Sequence, residues 1–229
     1  VLDPACGSGA FLFSALGQLE ELYTACLERM EEFIGQLDLE SNPHPEKFKD
    51  FREEVKTAYD RQKHPNLRYF VLKRILLDNL YGVDIMPEAV EICKLRLFLK
   101  LAAQVDHGTE LEPLPDIDFN VVAGNSLVGY ATRSEALQGL KVSREKKSQL
   151  TITFENEREA LNRIEEALDD LAAQTELFRQ QQKVHGGQVT ADDKAELKKS
   201  LSTLTDELDS ALALEYGVNL DDDDKFQSW

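Results

Sequence analysis

The sequence lacks the hallmarks of a membrane protein and of a disulfide-stabilised protein. Its longest apolar runs, such as Tyr69–Leu77, are short and interrupted by Lys73 and Arg74, whereas a membrane-spanning helix needs about 20 apolar residues. Only three cysteines occur among 229 residues, an odd number without the spacing of metal ligands. We therefore expect a cytoplasmic protein with a reduced interior, no metal site and no membrane partner.

Positive charge is also scarce. The chain has 43 acidic and 26 basic residues, a net charge of −17, and residues 155–229 contribute 19 of the acidic and 8 of the basic residues. A surface this negative repels nucleic-acid phosphates. Charge therefore argues against a DNA-binding cleft formed by these residues alone.

The first 125 residues alternate between helix-like and strand-like patterns. Helices are predicted from about Ser8 to the prolines at 43 and 45, over Glu46–Arg61, over the apolar segment after Asn66, and over Pro87–Val105. Strands are predicted at Val1–Asp3, Leu80–Ile85 and Asp118–Ala123. This alternation is typical of an α/β protein whose parallel sheet is covered by helices.

The sequence changes character after about residue 155. Leucines at three- and four-residue steps predict two amphipathic helices, separated by the breaker His185–Gly187 and a capping-box-like Thr190–Asp193. The simplest interpretation is an antiparallel, coiled-coil-like hairpin, whose charges fit a solvated arm better than a specific partner site. Asp221–Asp224 is interpreted as an acidic linker, with a protease-tag sequence including Lys225 as the alternative.

Three polar turns follow the predicted strands, at Asp3–Gly9, Asp84–Ile85 and Gly124–Asn125. The carboxyl ends of parallel strands share one edge of the sheet, where α/β proteins bind ligands. A glycine turn between strand and helix lets the backbone approach a ligand closely. The dinucleotide fingerprint G-x-G-x-x-G fails because Leu12 replaces its third glycine, which disfavours an ordinary nicotinamide site.

Three segments together resemble one enzyme family. Asp3–Leu12 (DPACGSGAFL) resembles the first motif of the S-adenosylmethionine-dependent DNA methyltransferases that modify the exocyclic amine of adenine. Tyr81–Val90 (YGVDIMPEAV), running into Lys94–Leu97, resembles the second motif in the form used by large type II restriction-modification and phage-defence methylases. Val122–Leu127 (VAGNSL) resembles the third. The resemblance covers about residues 1–130 and implies a partial Rossmann-like methyltransferase sheet with helical insertions and a C-terminal helical hairpin.

The resemblance also implies a role for individual residues. Asp3 and the backbone of Gly7–Gly9 would hold the methionine part of S-adenosylmethionine, and Asp84 would accept hydrogen bonds from both ribose hydroxyls. Ile85 would lie against the adenine ring, and Asn125, where many relatives have aspartate, would bond its edge. The implied cofactor-binding residues are Asp3, Ala5, Cys6, Gly7, Gly9, Phe11, Asp84, Ile85 and Asn125, with no catalytic residue among them.

Structural explanations of three of these residues stay open. Asp3 can simply cap the turn that follows it, and Asp84 can be a carboxylate favoured by the dipole of the next helix. Asn125 can be only a turn residue, since asparagine bonds its own backbone readily. Each explanation needs no ligand.

Several polar side chains are interpreted without a chemical role of their own. Cys6 is read as a small packing residue, because methyl transfer does not need its thiolate. Lys94 and Arg96 are read as solvated helix positions rather than phosphate contacts. The four histidines fall in predicted loops and are expected to do nothing specific: His44, His64, His107 and His185.

The sequence lacks one motif that this family needs. Its members clamp the target amine and stack the flipped base with a short Asn/Asp-Pro-Pro-Tyr/Phe string after the third motif, and no such string occurs here. The chain also opens on barely three residues of strand. We therefore expect a cofactor-binding piece of a larger enzyme, inactive alone, whose other parts bind DNA and offer contacts to the helical arm.

The expected domains are residues 1–154, the S-adenosylmethionine-binding part with a helical insertion at about 20–66, then the hairpin at 155–216 and the linker at 217–229. Two other functions stay open. One is a methyltransferase acting on RNA, protein or a small molecule, because a fold does not fix a substrate. The other is a noncatalytic interaction module on a degenerate core, against which the intact Asp3, Gly7, Gly9 and Asp84 argue.

Overall fold

The computed structural model describes residues 1–39, 48–60, 63–105, 114–130, 132, 134–139, 157–184 and 191–215. Its strands are β1 (Leu2–Asp3), β2 (Tyr81–Asp84) and β3 (Val121–Ala123). Its helices are α1 (Ala10–Leu39), α2 (Lys49–Ala58), α3 (Leu67–Asp78), α4 (Pro87–Ala102), α5 (Glu157–Val184) and α6 (Ala191–Glu215). The chain divides into a sheet unit, residues 1–124 with 181–188, and a helical unit, residues 125–180 with 189–229.

The sheet unit contains three parallel strands in the order β1-β2-β3. Leu2 pairs with Tyr81 on one side of β2, and Val83 pairs with Val122 on the other. The strands predicted near the start of the chain and around Leu80–Ile85 are therefore present and pair in parallel. The third strand is shorter than predicted because residues 118–120 form a turn. Helices joining parallel strands agree with the α/β class, in a unit that is mostly helical.

Helices α1, α3 and α4 form the core against the sheet. Helix α1 packs against α3 and α4, and α4 contacts both β2 and β3. Leu12 and Leu16 of α1 are fully buried, as are Leu72 of α3 and Leu97 of α4. Helix α1 begins two residues later than predicted because Gly9, with φ of 79°, is not helical.

The ends of α3 are fixed by two asparagines. At its start the side-chain Oδ1 of Asn66 accepts from the Tyr69 N–H at 2.8 Å and caps the helix. At its end the buried Asn120 amide donates to the carbonyls of Leu76, Leu77 and Leu80, each at 3.1 Å. The last carbonyls of a helix lack partners within it, so Asn120 provides one for Leu76 and Leu77 and ties the end of α3 to the turn before β3.

One interpretation of a polar residue is wrong. Lys94 is not a solvated position: its side chain is 13% exposed and its ammonium pairs with Asp118 at 2.9 Å and Glu91 at 3.0 Å. His64 lies in a loop, as predicted, and is buried with its ring 5.0 Å from that of Phe70.

The helical unit contains buried and half-buried apolar side chains. Phe178, Leu197 and Leu212 are buried. Leu168 and Leu208 are half-buried in one cluster with Leu137. The two amphipathic helices are present as predicted. The breaker His185–Gly187, Thr190, the acidic linker and the prolines at 43 and 45 lie outside the described residues.

None of the helices in the described part of the chain combines the length and the apolar character that crossing a bilayer requires.

Candidate functional site

The candidate site is the edge of the sheet at which β1 and β2 end. After Asp3 the chain turns, and the Cys6 N–H donates to the Val83 carbonyl at 2.9 Å, which keeps the turn beside β2. The Gly9 N–H donates to the Cys6 carbonyl at 2.8 Å and closes the turn. The N-terminus of α1 follows directly. We call residues 6–9 the glycine turn.

Asp84 joins the two strand ends. Its Oδ2 accepts from the Gly7 N–H at 2.7 Å, and its Oδ1 accepts from the Met86 N–H at 3.0 Å. The bond from Met86, and after it the bond from Gly7, are the main causes that lower the pKa of the Asp84 carboxyl below its usual value. The structure thus brings together Gly7 and Asp84, which are 77 residues apart in sequence.

The two turn glycines are required for different reasons. Gly7 and Gly9 both have positive φ, 51° and 79°, which disfavours any side chain. At Gly9 a Cβ would also lie 2.4 Å from the Cys93 sulfur, whereas at Gly7 no described residue lies within 4 Å of that position. Gly9 therefore permits close packing of α4, and Gly7 leaves the outer side of the turn open.

Cysteines line the inner side of the glycine turn. Cys6 and Cys93 are buried, and Cys6 packs as the sequence interpretation expected. Burial, with the neighbouring Cys6, raises the pKa of the Cys93 thiol to about 12. Burial, with the charges of Asp84 and Asp3, also raises the pKa of Cys6. Both side chains are thiols at neutral pH and serve packing.

Several other predicted residues lie near this edge. The Asp3 side chain accepts from the Ala5 N–H at 3.2 Å and so caps the turn that follows it, as the structural explanation supposed. Ile85 is 67% exposed and Phe11 is 74% exposed, both unusual for large apolar side chains in a folded unit. Ala5 is exposed as well.

Asn125 belongs to the helical unit and is described within it. Its side-chain oxygen accepts from the Leu127 N–H at 3.0 Å, and its carbonyl accepts from the Val128 N–H at 3.2 Å. Asn125 therefore forms a local asparagine turn, as its structural explanation supposed. Its predicted role at the cofactor stays a prediction.

Sequence reasoning missed two residues of the site. Arg96 was read as solvated, but its Nη1 donates to the Ser8 carbonyl at 2.9 Å and its guanidinium lies 5.3 Å from the Phe13 ring centre. Gly82 in β2 leaves room for α1, since a Cβ there would lie 2.9 Å from Leu12 and 3.0 Å from the Cys6 sulfur. A glycine inside a strand is a sequence signal of such close approach, whereas Arg96 gave none.

Within the described residues, no group of three or more His, Cys, Asp or Glu side chains is placed to hold a metal ion. The chemical groups at the strand edge are a carboxylate, backbone N–H groups and exposed apolar side chains. They suit a polar organic ligand that carries hydroxyls and a negatively charged group.

Comparison with known proteins agrees with the motifs. The family model "MmeI, DNA-methyltransferase domain" matches residues 1–127, and the model "Eco57I restriction-modification methylase" matches residues 78–213. A protein of Methanocaldococcus jannaschii, named as a type II restriction enzyme and methyltransferase, is 36% identical over 152 residues, which cover 62% of this chain. No solved structure matches the chain.

The present chain spans about a tenth of the length of that relative, since the match covers 10% of it. Each family model matches more than half of the 229 residues, and together they include all three sequence motifs. The resemblance drawn from those motifs is thereby confirmed at the level of the family. The chain belongs to the restriction-modification DNA methyltransferases that these two models describe.

Proposed function

We propose that the chain is the S-adenosylmethionine-binding part of a methyltransferase that modifies the exocyclic amine of adenine in DNA, within restriction-modification or phage defence. The observation that carries this proposal is the Asp84 carboxylate, which ends the central strand and accepts from the amides of Gly7 and Met86. Membership of the methyltransferase family supports it. The transferred methyl group would come from the sulfonium of the cofactor.

The residues present fit this cofactor. Each carboxylate oxygen of Asp84 uses one acceptor position on a backbone amide, and a carboxylate has about four such positions. Asp84 therefore retains capacity for two ribose hydroxyls. The open space beside Gly7 leaves room for a ligand against the backbone. The first N–H groups of α1 have no acceptor within the helix and favour a carboxylate such as that of methionine.

Apolar exposure supports the same assignment. Ile85 follows Asp84 directly and exposes two thirds of its surface, which suits contact with an adenine ring. Phe11 in the first turn of α1 offers a second exposed apolar surface. In this proposal Asp3 and the glycine turn hold the methionine part, and Ala5 and Cys6 shape the turn.

Target binding is assigned to other parts of the parent protein. The string Asn/Asp-Pro-Pro-Tyr/Phe does not occur in the sequence, and the net charge of −17 opposes binding of DNA phosphates. We therefore expect this chain to bind cofactor without methylating DNA. Transfer of labelled methyl groups from S-adenosylmethionine to duplex DNA by this chain would contradict that expectation.

Calorimetric titration with S-adenosylmethionine tests the cofactor site. Asp84→Asn keeps the shape of the side chain but removes its charge and half of its acceptor capacity, so affinity should fall by about tenfold or more. Asp118→Asn is the matched control, because Asp118 pairs with Lys94 and precedes β3, away from the carboxyl edge of the sheet.

The outcomes are distinct. Weaker binding by Asp84→Asn with unchanged binding by Asp118→Asn supports the site. Equal heats from the original chain and Asp84→Asn would remove Asp84 from the site. Failure of the original chain to bind S-adenosylmethionine at millimolar concentration would refute cofactor binding by this chain.

A further inference from the structure

Arg96 contacts the glycine turn from helix α4. Its Nη1 lies 2.9 Å from the Ser8 carbonyl oxygen and 3.4 Å from the Ser8 hydroxyl. The guanidinium also lies 5.3 Å from the centre of the Phe13 ring, one helical turn beyond Gly9. A residue 88 positions from Ser8 in sequence is thus bonded to the backbone of the turn.

The Ser8–Gly9 peptide is held at both of its polar groups. Its carbonyl accepts from Arg96, and its N–H donates to the Cys6 carbonyl at 2.8 Å. A peptide bonded on both sides cannot rotate without losing both bonds. Arg96 thereby complements Asp84, which holds the neighbouring Gly7 N–H at 2.7 Å.

The direction of the Ser8 carbonyl matters for an anionic ligand. A carbonyl oxygen carries partial negative charge and would repel the carboxylate of a bound methionine group, whereas N–H groups attract it. Because the carbonyl accepts from Arg96 on α4, its partial negative charge faces a cation. The Phe13 ring helps to fix the guanidinium through a cation–π contact.

We propose that Arg96 is a positioning residue for the cofactor: it holds the Ser8 carbonyl so that the glycine turn can receive the carboxylate of the methionine part of S-adenosylmethionine. This inference rests on the proposed function and adds a residue from α4 to it. Arg96 acts through the turn rather than by touching the reacting atoms.

The first measurement needs no cofactor. Amide hydrogen exchange of residues 7–9 is compared by NMR in the original chain and in Arg96→Met, which keeps a long apolar side chain against Phe13 but has no N–H donor. Faster exchange at Gly9 is expected, because the peptide loses its second bond. Unchanged exchange at all three residues would overturn the inference whether or not the chain binds cofactor.

Lys100→Met is the matched control. The Lys100 ammonium lies 5.9 Å from the centre of the same Phe13 ring but contacts Glu20 rather than the turn. Its removal should leave exchange at residues 7–9 unchanged. An equal increase in both variants would assign the effect to the Phe13 ring and contradict a specific role of Arg96.

The second measurement compares two ligands by titration. Arg96→Met should bind S-adenosylmethionine about tenfold more weakly, the cost of one charge-assisted hydrogen bond, and adenosine, which has no methionine part, with less than about twofold change. Arg96→Lys should recover part of the loss. Equal weakening for both ligands would show a general structural role and overturn the proposal.

The proposed function fails separately. If the original chain binds neither ligand, the cofactor site is refuted, and with it the assignment of Arg96 to cofactor positioning. The exchange measurement would still show whether Arg96 holds the turn.

Discussion

The two units differ in the sequence separation of the residues that hold them together. In the sheet unit, Asp84 bonds Gly7 across 77 residues and Arg96 bonds Ser8 across 88. The side-chain hydrogen bonds described within the helical unit are local, such as Thr203 to the Lys199 carbonyl at a separation of four. Long-range bonds can position groups from different elements around a ligand, whereas local bonds only support the helix that contains them.

This difference has a consequence for substitutions. In the sheet unit one side chain often connects two or three elements, so its loss affects both stability and the candidate site. In the helical unit a surface polar side chain contributes a few tenths of a kcal/mol through its own helix, about the value measured for i,i+4 pairs. The predictions below test this contrast, from the largest expected effect to the smallest.

Gly9→Ala should have the largest effect. The added Cβ meets the Cys93 sulfur at 2.4 Å and also forces alanine into a left-handed conformation. Overpacking and backbone strain together should reduce the free energy of unfolding by about 2–5 kcal/mol, measured by urea denaturation.

Gly7→Ala is the control for Gly9→Ala. Its φ is also positive, but no described residue lies within 4 Å of the new Cβ, so strain alone should cost about 1–2 kcal/mol. The methyl group would instead enter the space assigned to the cofactor and weaken S-adenosylmethionine binding. Equal destabilisation by the two variants would mean that contact with Cys93 contributes nothing.

Asn120→Ala should have the next largest effect. The substitution leaves the carbonyls of Leu76, Leu77 and Leu80 without the amide that they share. Burial of such groups without a partner costs about 1–3 kcal/mol, which urea denaturation would detect. Thr203→Ala in the helical unit removes one local bond and should change stability by less than about 0.5 kcal/mol. Comparable losses would contradict the contrast between the units.

The sequence predicted those features that depend on neighbouring residues. Pro87 at the first position of α4 and the apolar segment after Asn66 located both helices, because these signals act within one element. The meeting of the glycine turn with Asp84 followed from the rule that parallel strands end at one edge. These parts of the fold and the site needed no knowledge of distant contacts.

The features that sequence reasoning missed depend on distant contacts. Asn120 resembled an ordinary residue of a predicted strand, yet it lies in a turn and bonds the end of α3. Arg96 has the sequence context of a solvated helix position, and only packing of α4 beside the glycine turn brings it to Ser8. Lys94 also pairs with Asp118, which lies 24 residues away in sequence. No local pattern encodes these partners.

Two arginines give a smaller contrast. Arg74 of the sheet unit donates to Glu54 from two nitrogens, from Nη2 to Oε2 at 2.8 Å and from Nε to Oε1 at 3.1 Å, and lies 5.9 Å from the centre of the Phe70 ring. Arg74→Ala should cost about 1 kcal/mol. Arg179 of the helical unit contacts Glu176 within its own helix at 3.3 Å, so Arg179→Ala should cost less than about 0.5 kcal/mol. Parallel thermal and urea unfolding of the two variants would compare them, and a larger loss for Arg179 would reverse the expected order.

Two aspartates should change stability with pH in opposite directions. Backbone hydrogen bonds from Met86 and Gly7 lower the pKa of Asp84, whereas burial and the nearby Asp206 raise the pKa of Asp209 in the helical unit. The stabilisation from ionised Asp84 is present above the carboxyl's unfolded pKa, about 3.9, and is lost as the pH falls through the lower folded value. In Asp209 the folded state disfavours the charged carboxylate. Its ionisation therefore destabilises the fold above the raised folded pKa, and this destabilisation disappears as the pH falls below the pKa of the unfolded chain.

Urea denaturation between pH 3 and 7 should therefore show Asp84→Asn less stable than the original chain near neutrality and Asp209→Asn more stable, with both differences shrinking in acid. A shift of stability in the same direction for both variants at pH 7 would contradict the opposite pKa shifts of these two carboxyls.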